Sequence, residues 1–439
     1  MKESALLTSG VRLLSNEESS RAECAAWIRV VLVVLFVVLV LVRIPAVLLH
    51  GRFWAEEGVV YFHAAWTKPW SEALFTIHTG YLNIVASSAT VLAAHAVPLA
   101  EAPLVTIGIA LVFQALPAVV LATSRIHWLG RWPALAVALL CLLVPPGDAE
   151  VWLNSITSQF HLALCVGLIL AADIRGGWIG RLRGAILVVA PLAGPVSGTL
   201  APLFLLRAWL ERSWPRLIQT ILLGIPTFAQ AVITLTHPEP ARSIGIGLPL
   251  LLAVIGVQNV ILPLAGLGLT QPLAAADLQS FAKGDVPVLV ILAGALGIGA
   301  LGFVLCRLGD RASLWLYAGG CTLAVCSYSF ALTLGQPLNL LIWLGGRYVF
   351  APAVLLSLSL LGLAVSTRFP ARLLPIGLVV LLLHAGWIDY FHVPVFFAQG
   401  ADWQHEVTAW RHDPTYKLRI WPHDWSMDLP PHRPAEPGK

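Results

Sequence analysis

Two adjacent carboxylates, Glu56 and Glu57, stand in the stretch FWAEEGVVYF, just beyond an apolar run from Trp27 to Leu49. Their aromatic neighbours Phe53, Trp54, Tyr61 and Phe62 suit a membrane interface. An acidic pair held there by an amphipathic interfacial helix can supply a general base, or a metal ligand, to a substrate arriving from the lipid. Adjacent helical residues differ in direction by about 100°, so one carboxylate can face a site while the other serves another role. The plainer reading is a pair of solvated acids at a helix start, where the dipole favours them.

Other polar clusters invite the same question. In GDAEVWLNSITSQFH, Glu150, Asn154, Thr157 and His161 follow at i, i+4, i+7 and i+11, one face of a helix entering the bilayer. Polar groups at that depth are expected to line a cavity, or to form a hydrogen-bonded packing stripe between helices. In GGRYVFAP, Arg347 and Tyr348 stand at the end of a long apolar helix. That arginine either snorkels to headgroups or makes a charge-assisted clamp on a phosphate. His78 and Tyr81, at the end of the first polar loop, are placed to join either arrangement. The C-terminal tail carries WQHE, WRHD and WPHD, so a metal site from His405, His412 and His423 is conceivable, although His-acid pairs in exposed segments are usually surface groups.

What must position these residues is a membrane domain. Of 439 residues, 58% are hydrophobic and 11% charged, where a soluble domain has about 25% charged. The mean hydropathy is +0.81. Runs such as Trp27 to Leu49 are long enough to cross a hydrocarbon layer of roughly 30 Å as helices, and they recur to about residue 390. They lack the alternation a β-barrel requires. The six cysteines fall mostly inside apolar runs, with no disulfide framework or zinc cluster visible, and a net charge of +4 on this length gives no reason to expect nucleic acid. The expected fold is therefore an all-α polytopic membrane protein of about 11 transmembrane helices (10–13). Residues 1–26 form a cytoplasmic N-terminal segment and 27–390 the membrane domain, whose first outer loop, 50–81, carries interfacial helices. Residues 391–439 form a small external tail rich in Trp, His and Pro, lying on the membrane surface.

Arginine placement gives orientation. Arg175, Arg181 and Arg183, then Arg207, Arg212 and Arg216, then Arg307 with Arg311 and Arg368 with Arg372 mark cytoplasmic loops. The first apolar run exceeds the roughly 7 to 15 residues of a cleavable signal core, so it is expected to stay as an uncleaved first helix. Two parity problems follow. A single span between Arg183 and Arg207 would put two basic loops on opposite sides; the Gly and Pro of APLAGPVSGTLAP, 190–202, suggest two half-helices returning to one face. Candidate spans at about 82–100 and 103–123 likewise put Arg125 and Arg131 on the wrong side.

Together the acidic pair in FWAEEGVVYF, the GGRYVFAP element and the Trp-rich external tail resemble the GT-C superfamily of membrane glycosyltransferases. The resemblance implies a sugar taken from a polyprenyl-phosphate donor and passed, on the outer face of the cell membrane, to a glycan, lipid or protein acceptor. It also implies a catalytic carboxylate in the first outer loop: Glu56 as base, with Glu57 assisting or binding a divalent cation such as Mg or Mn, and Arg347 holding the phosphate. This chain has Glu-Glu where many relatives have Asp-Glu, so the reach of the base differs by one methylene. A transporter or flippase of an amphipathic lipid or glycolipid would need similar broken helices and an external arginine, and a noncatalytic scaffold in an envelope-glycan complex would need neither acid.

Overall fold

A computed structural model of the protein describes residues 25–144, 149–239, 247–333, 340–341 and 346–431. The expectations for residues 1–24, for 147–148 and 345 within their motifs, and for 432–439 of the tail lie outside these residues.

The chain is helical, and among the described residues eight helices are long and apolar enough to cross a membrane, from Ala26–Arg43 to Leu373–Phe391. Three shorter apolar helices, Ile84–Ala96, Trp132–Leu143 and Ser158–Ala171, accompany them. Prolines open several helices, among them Trp132–Leu143, Ala201–Glu211 and Trp214–Thr236, where the missing N–H costs nothing.

Two helices form the centre. Every residue of Ser158–Ala171 is buried, and Gly346–Ser366 is the most buried of the long apolar helices. Small residues let them pack closely: a Cβ at Gly167 would meet Leu355 Cδ1 at 2.5 Å. Near their starts Phe160 packs on Tyr348 at 5.5 Å and His161 on Phe350 at 4.5 Å, and further along Gly167 meets Leu355, so the two run parallel and deliver both N-termini, with the residues just before them, to the same end of the molecule.

The other end is basic, and it resolves both parity problems. Arg29 donates to the carbonyl of Ala122 at 2.7 Å, and Arg183 donates to Ser124 Oγ at 3.0 Å and to the carbonyl of Asp173 at 2.7 Å. Arg207 and Arg216 reach the carbonyl of Ala172 in the same place. Both basic loops therefore meet at one end. The chain between them breaks at Gly194, where a Cβ would collide with Gln159 Oε1 and where the following Pro195 disfavours helical backbone. Ile84–Ala96, expected as a span, is only 13 residues long. It begins beside Ile156, whose carbonyl accepts from Asn83 Nδ2, and it leads to Leu99, whose carbonyl accepts from Trp403 Nε1 in the tail. Both of its ends thus sit at the end opposite the arginines, and only Ala102–Ala122 carries the chain across to Ser124.

In the tail, Trp403 and Trp421 are not surface rings but buried, 2% and 1% exposed, against the first polar loop. Trp421 N donates to the carbonyl of Phe53 at 3.0 Å and its own carbonyl accepts from Ala55 N at 2.5 Å, a strand-like bridge. Phe53 stacks edge-on against Trp403 with ring centroids 5.1 Å apart. Loop and tail make one cap, because neither aromatic set alone can cover its own apolar surface.

Candidate functional site

Glu57 is the fastener of this cap. Its carboxylate is fully buried, accepting from Ser155 N at 2.7 Å, Ser155 Oγ at 2.5 Å and Trp54 N at 3.2 Å. Burial pushes the carboxyl up, against the pull of these donors and of nearby Arg52. The group ties the first loop to the segment 149–157, and its acceptor oxygens are already used.

Glu56, one residue earlier, is in the opposite position. It is partly exposed at the N-terminal boundary of a π-helical turn, Glu57–Phe62, and makes no hydrogen bond or ion pair among the described residues. The preceding Ala55 has φ of +44°, a left-handed conformation that costs a residue with a Cβ and is held here by the bridge to Trp421. Its strain sets the directions in which the two glutamates leave the chain.

Arg347 comes from the first turn of its helix, and its Nη1 donates to Glu150 Oε1 at 3.0 Å. Glu56 and Tyr81 both lie near enough to act electrostatically on the same guanidinium, and Tyr348 lies beneath it with its ring centre 5.2 Å from Cζ. Tyr61, in the π-helical turn, senses both Tyr81 and Glu56; burial first, then those neighbours, push its phenol well above the ordinary value, so it stays a protonated donor. His78 packs edge-on to Tyr61 at 6.3 Å. It pairs with Tyr81 across a two-residue hairpin, so the two side chains share a face. The turn residues Thr79 and Gly80 have φ of +50° and +79°, and a Cβ on Gly80 would press on the carbonyl of His237 at 2.9 Å, so glycine is required there. Tyr81 Oη accepts from Gln159 Nε2 at 3.4 Å. Five separate stretches of chain thus converge: Glu56 with Tyr61, His78 with Tyr81, Glu150, Gln159, and Arg347 with Tyr348.

Two expected members stand apart. Residues 150–161 do not form one helical face, because the helix starts only at Ser158. Asn154 prevents an earlier start: its Oδ1 accepts from Thr157 N at 3.0 Å and Thr157 Oγ1 at 2.8 Å, and its Nδ2 donates to the carbonyl of Glu150 at 2.6 Å. Asn154 therefore shapes the loop that presents Glu150 and spends its polar atoms doing so. His161 lies inside an aromatic box, 4.8 Å from Trp152 and 4.5 Å from Phe350 by ring centroids, and belongs to the core. In the tail, His405 and His423 sit beside their own neighbours Glu406 and Asp424, and among the described residues no three His, Cys, Asp or Glu side chains converge to hold a metal ion.

Two buried groups escaped sequence reading. Arg52 is 1% exposed, donates from Nη2 to the carbonyl of Trp152 at 2.8 Å, and stacks between Trp54 and Trp421. Burial lowers it to about 10, while Glu57 and Glu150 pull the other way, so it remains a cation at neutral pH between the two acids. Ser155 is the second, as Glu57's partner. Arg52 was visible as a charge four residues from an acid pair; nothing about Ser155 marked it.

No protein-family model, curated protein or solved structure matches this chain.

Proposed function

We propose that this protein is an integral membrane glycosyltransferase that moves a sugar from a polyprenyl-phosphate donor to an envelope lipid, glycan or protein acceptor. The observation that carries the reading is the division of labour between the adjacent glutamates: Glu57 is locked into the scaffold while Glu56 is left with open oxygens within electrostatic reach of Arg347. A base needs lone pairs to spare, and Glu56 has them. It accepts the proton of an acceptor hydroxyl as that oxygen attacks the anomeric carbon, and the bond to the polyprenyl phosphate breaks with its electron pair on the phosphate oxygen. Arg347 balances the departing charge, oriented by Glu150, which occupies one of its five N–H donors. The parallel N-termini of Ser158–Ala171 and Gly346–Ser366 add positive dipole ends on the same side. Tyr81 and His78, both partly exposed and backed by the buried Tyr61, offer donors and ring faces to a sugar. In this reading the cap faces the outside of a cell membrane, the arginine-rich end faces the cytoplasm, and about 11 segments enter the bilayer.

The breaks at Gly194 and at Gly266, whose φ is +74° within an otherwise helical stretch, favour a second reading, a transporter or flippase of an amphipathic lipid. Mass spectrometry of envelope lipids and glycans separates the two. Cells lacking the protein are complemented with wild type or Glu56→Gln at matched expression. The transferase reading expects a glycan one sugar heavier with wild type alone and sugar-loaded carrier accumulating with the variant. Equal restoration by both would remove the transferase reading.

A further inference from the structure

At the end of the molecule opposite Glu56, an apolar groove of about 510 Å³ opens between the helices Val288–Leu308, Gly346–Ser366 and Leu373–Phe391. Its walls include Leu301, Val304, Leu360, Leu378 and Leu382, and its volume is within the range of small-molecule sites. The groove runs to Leu308, Thr367 and Ala371, which belong to the turns that carry Arg307, Arg311, Arg368 and Arg372. All four arginines are exposed, with Arg307 resting over the Phe303 ring at 5.3 Å. The one acid in these turns, Asp310, accepts from Ser313 N at 2.8 Å as a helix cap. Ser313 in turn lies close to Gly362, as does Trp128, which puts the mouth of the groove at the same end as Ser124 and Arg183. A deep apolar slot between membrane helices, closed at one end by four cations and one engaged carboxylate, is complementary to one chemistry: hydrocarbon chains below an anionic headgroup.

We propose that this groove holds an anionic glycerophospholipid of the leaflet on the arginine-rich side, its acyl chains along Leu301, Leu360 and Leu378 and its phosphate among Arg307, Arg311, Arg368 and Arg372. The lipid fills the seam that these helices and the 259–264 segment leave open, and does so independently of the chemistry at Glu56.

Native mass spectrometry of the detergent-purified full chain tests this with phosphatidylglycerol and phosphatidylcholine of identical acyl chains, each titrated separately. Wild type is expected to hold phosphatidylglycerol several-fold more tightly than phosphatidylcholine. Each of Arg368→Gln and Arg372→Gln should weaken phosphatidylglycerol about fivefold and leave phosphatidylcholine unchanged. Ala300→Trp, at an exposed wall position, should block both lipids without touching the charges. Equal binding of the two lipids, or a preference that survives both arginine changes, overturns the proposal. So does binding that inorganic phosphate displaces at equal concentration, since an anion site without the chains would then suffice.

Discussion

Glu150 and Arg347, 197 residues apart in the chain, meet at 3.0 Å with their side chains 16% and 27% exposed. The pair joins the loop before one central helix to the first turn of the other, with Glu56 near enough to act electrostatically on the guanidinium. Removing one partner of a shielded pair strands the other charge. Glu150→Gln and Arg347→Gln are therefore each expected to destabilise more than half as much as the double variant. A coupling of about 0.5–3 kcal/mol is expected in a double-mutant cycle of thermal unfolding in detergent. Additive losses would mean that the pair is not formed.

Glu57 and Ser155 predict a pH effect of definite sign. Because burial raises the Glu57 carboxyl in the folded protein, its contribution is fully present below the ordinary value of 4.5 and is lost as pH rises through the raised one. The stability gap between wild type and Glu57→Gln should narrow from pH 4 towards neutrality. Ser155→Ala should cost about 1–3 kcal/mol, since it strips a hydrogen bond from a buried acceptor. A gap that widens with pH would contradict the assignment.

Glu406 in the tail runs the other way. Burial opposes its ionisation, but Arg419, through side chain and backbone, and Tyr416 hydrogen-bond the carboxylate and hold it below the usual range. Its contribution is present above about 4.5 and is lost as pH falls through the lowered value. Acidification should therefore loosen the tail, read as increased proteolytic cleavage after residue 400, and Glu406→Gln should be loose at every pH.

Trp421→Ala should cost about 3–5 kcal/mol as a large buried side chain removed from a packed site. It should also lower turnover while leaving Glu56 in the sequence, because the bridge from Trp421 fixes Phe53 and Ala55. Full activity in this variant would mean that the cap does not position the base.

The membrane class was legible because hydropathy reports it directly, and the GPVSG break was legible because Gly and Pro act locally. The cluster residues Glu56, His78, Tyr81, Glu150 and Arg347 could be picked out as polar groups at apolar borders. Their distances could not, since helix packing brings them together. The single helical face expected over 150–161 failed for one reason: the 3.6-residue period was carried across a stretch that Asn154 itself keeps out of the helix. The burial of Trp403 and Trp421 was not legible because an interfacial Trp and a core Trp are the same residue until a partner surface is known, and here Trp403 finds Phe53 while Trp421 bridges to Phe53 and Ala55.

The most direct test of the account reconstitutes purified wild type and Glu56→Gln in proteoliposomes with a polyprenyl-phosphate donor labelled in its sugar and an envelope lipid extract as acceptor. Transfer is predicted to fall by at least about 100-fold in the variant, the scale of a lost general base, while the labelled donor still binds. Transfer by Glu56→Gln at the wild-type rate would contradict the central claim.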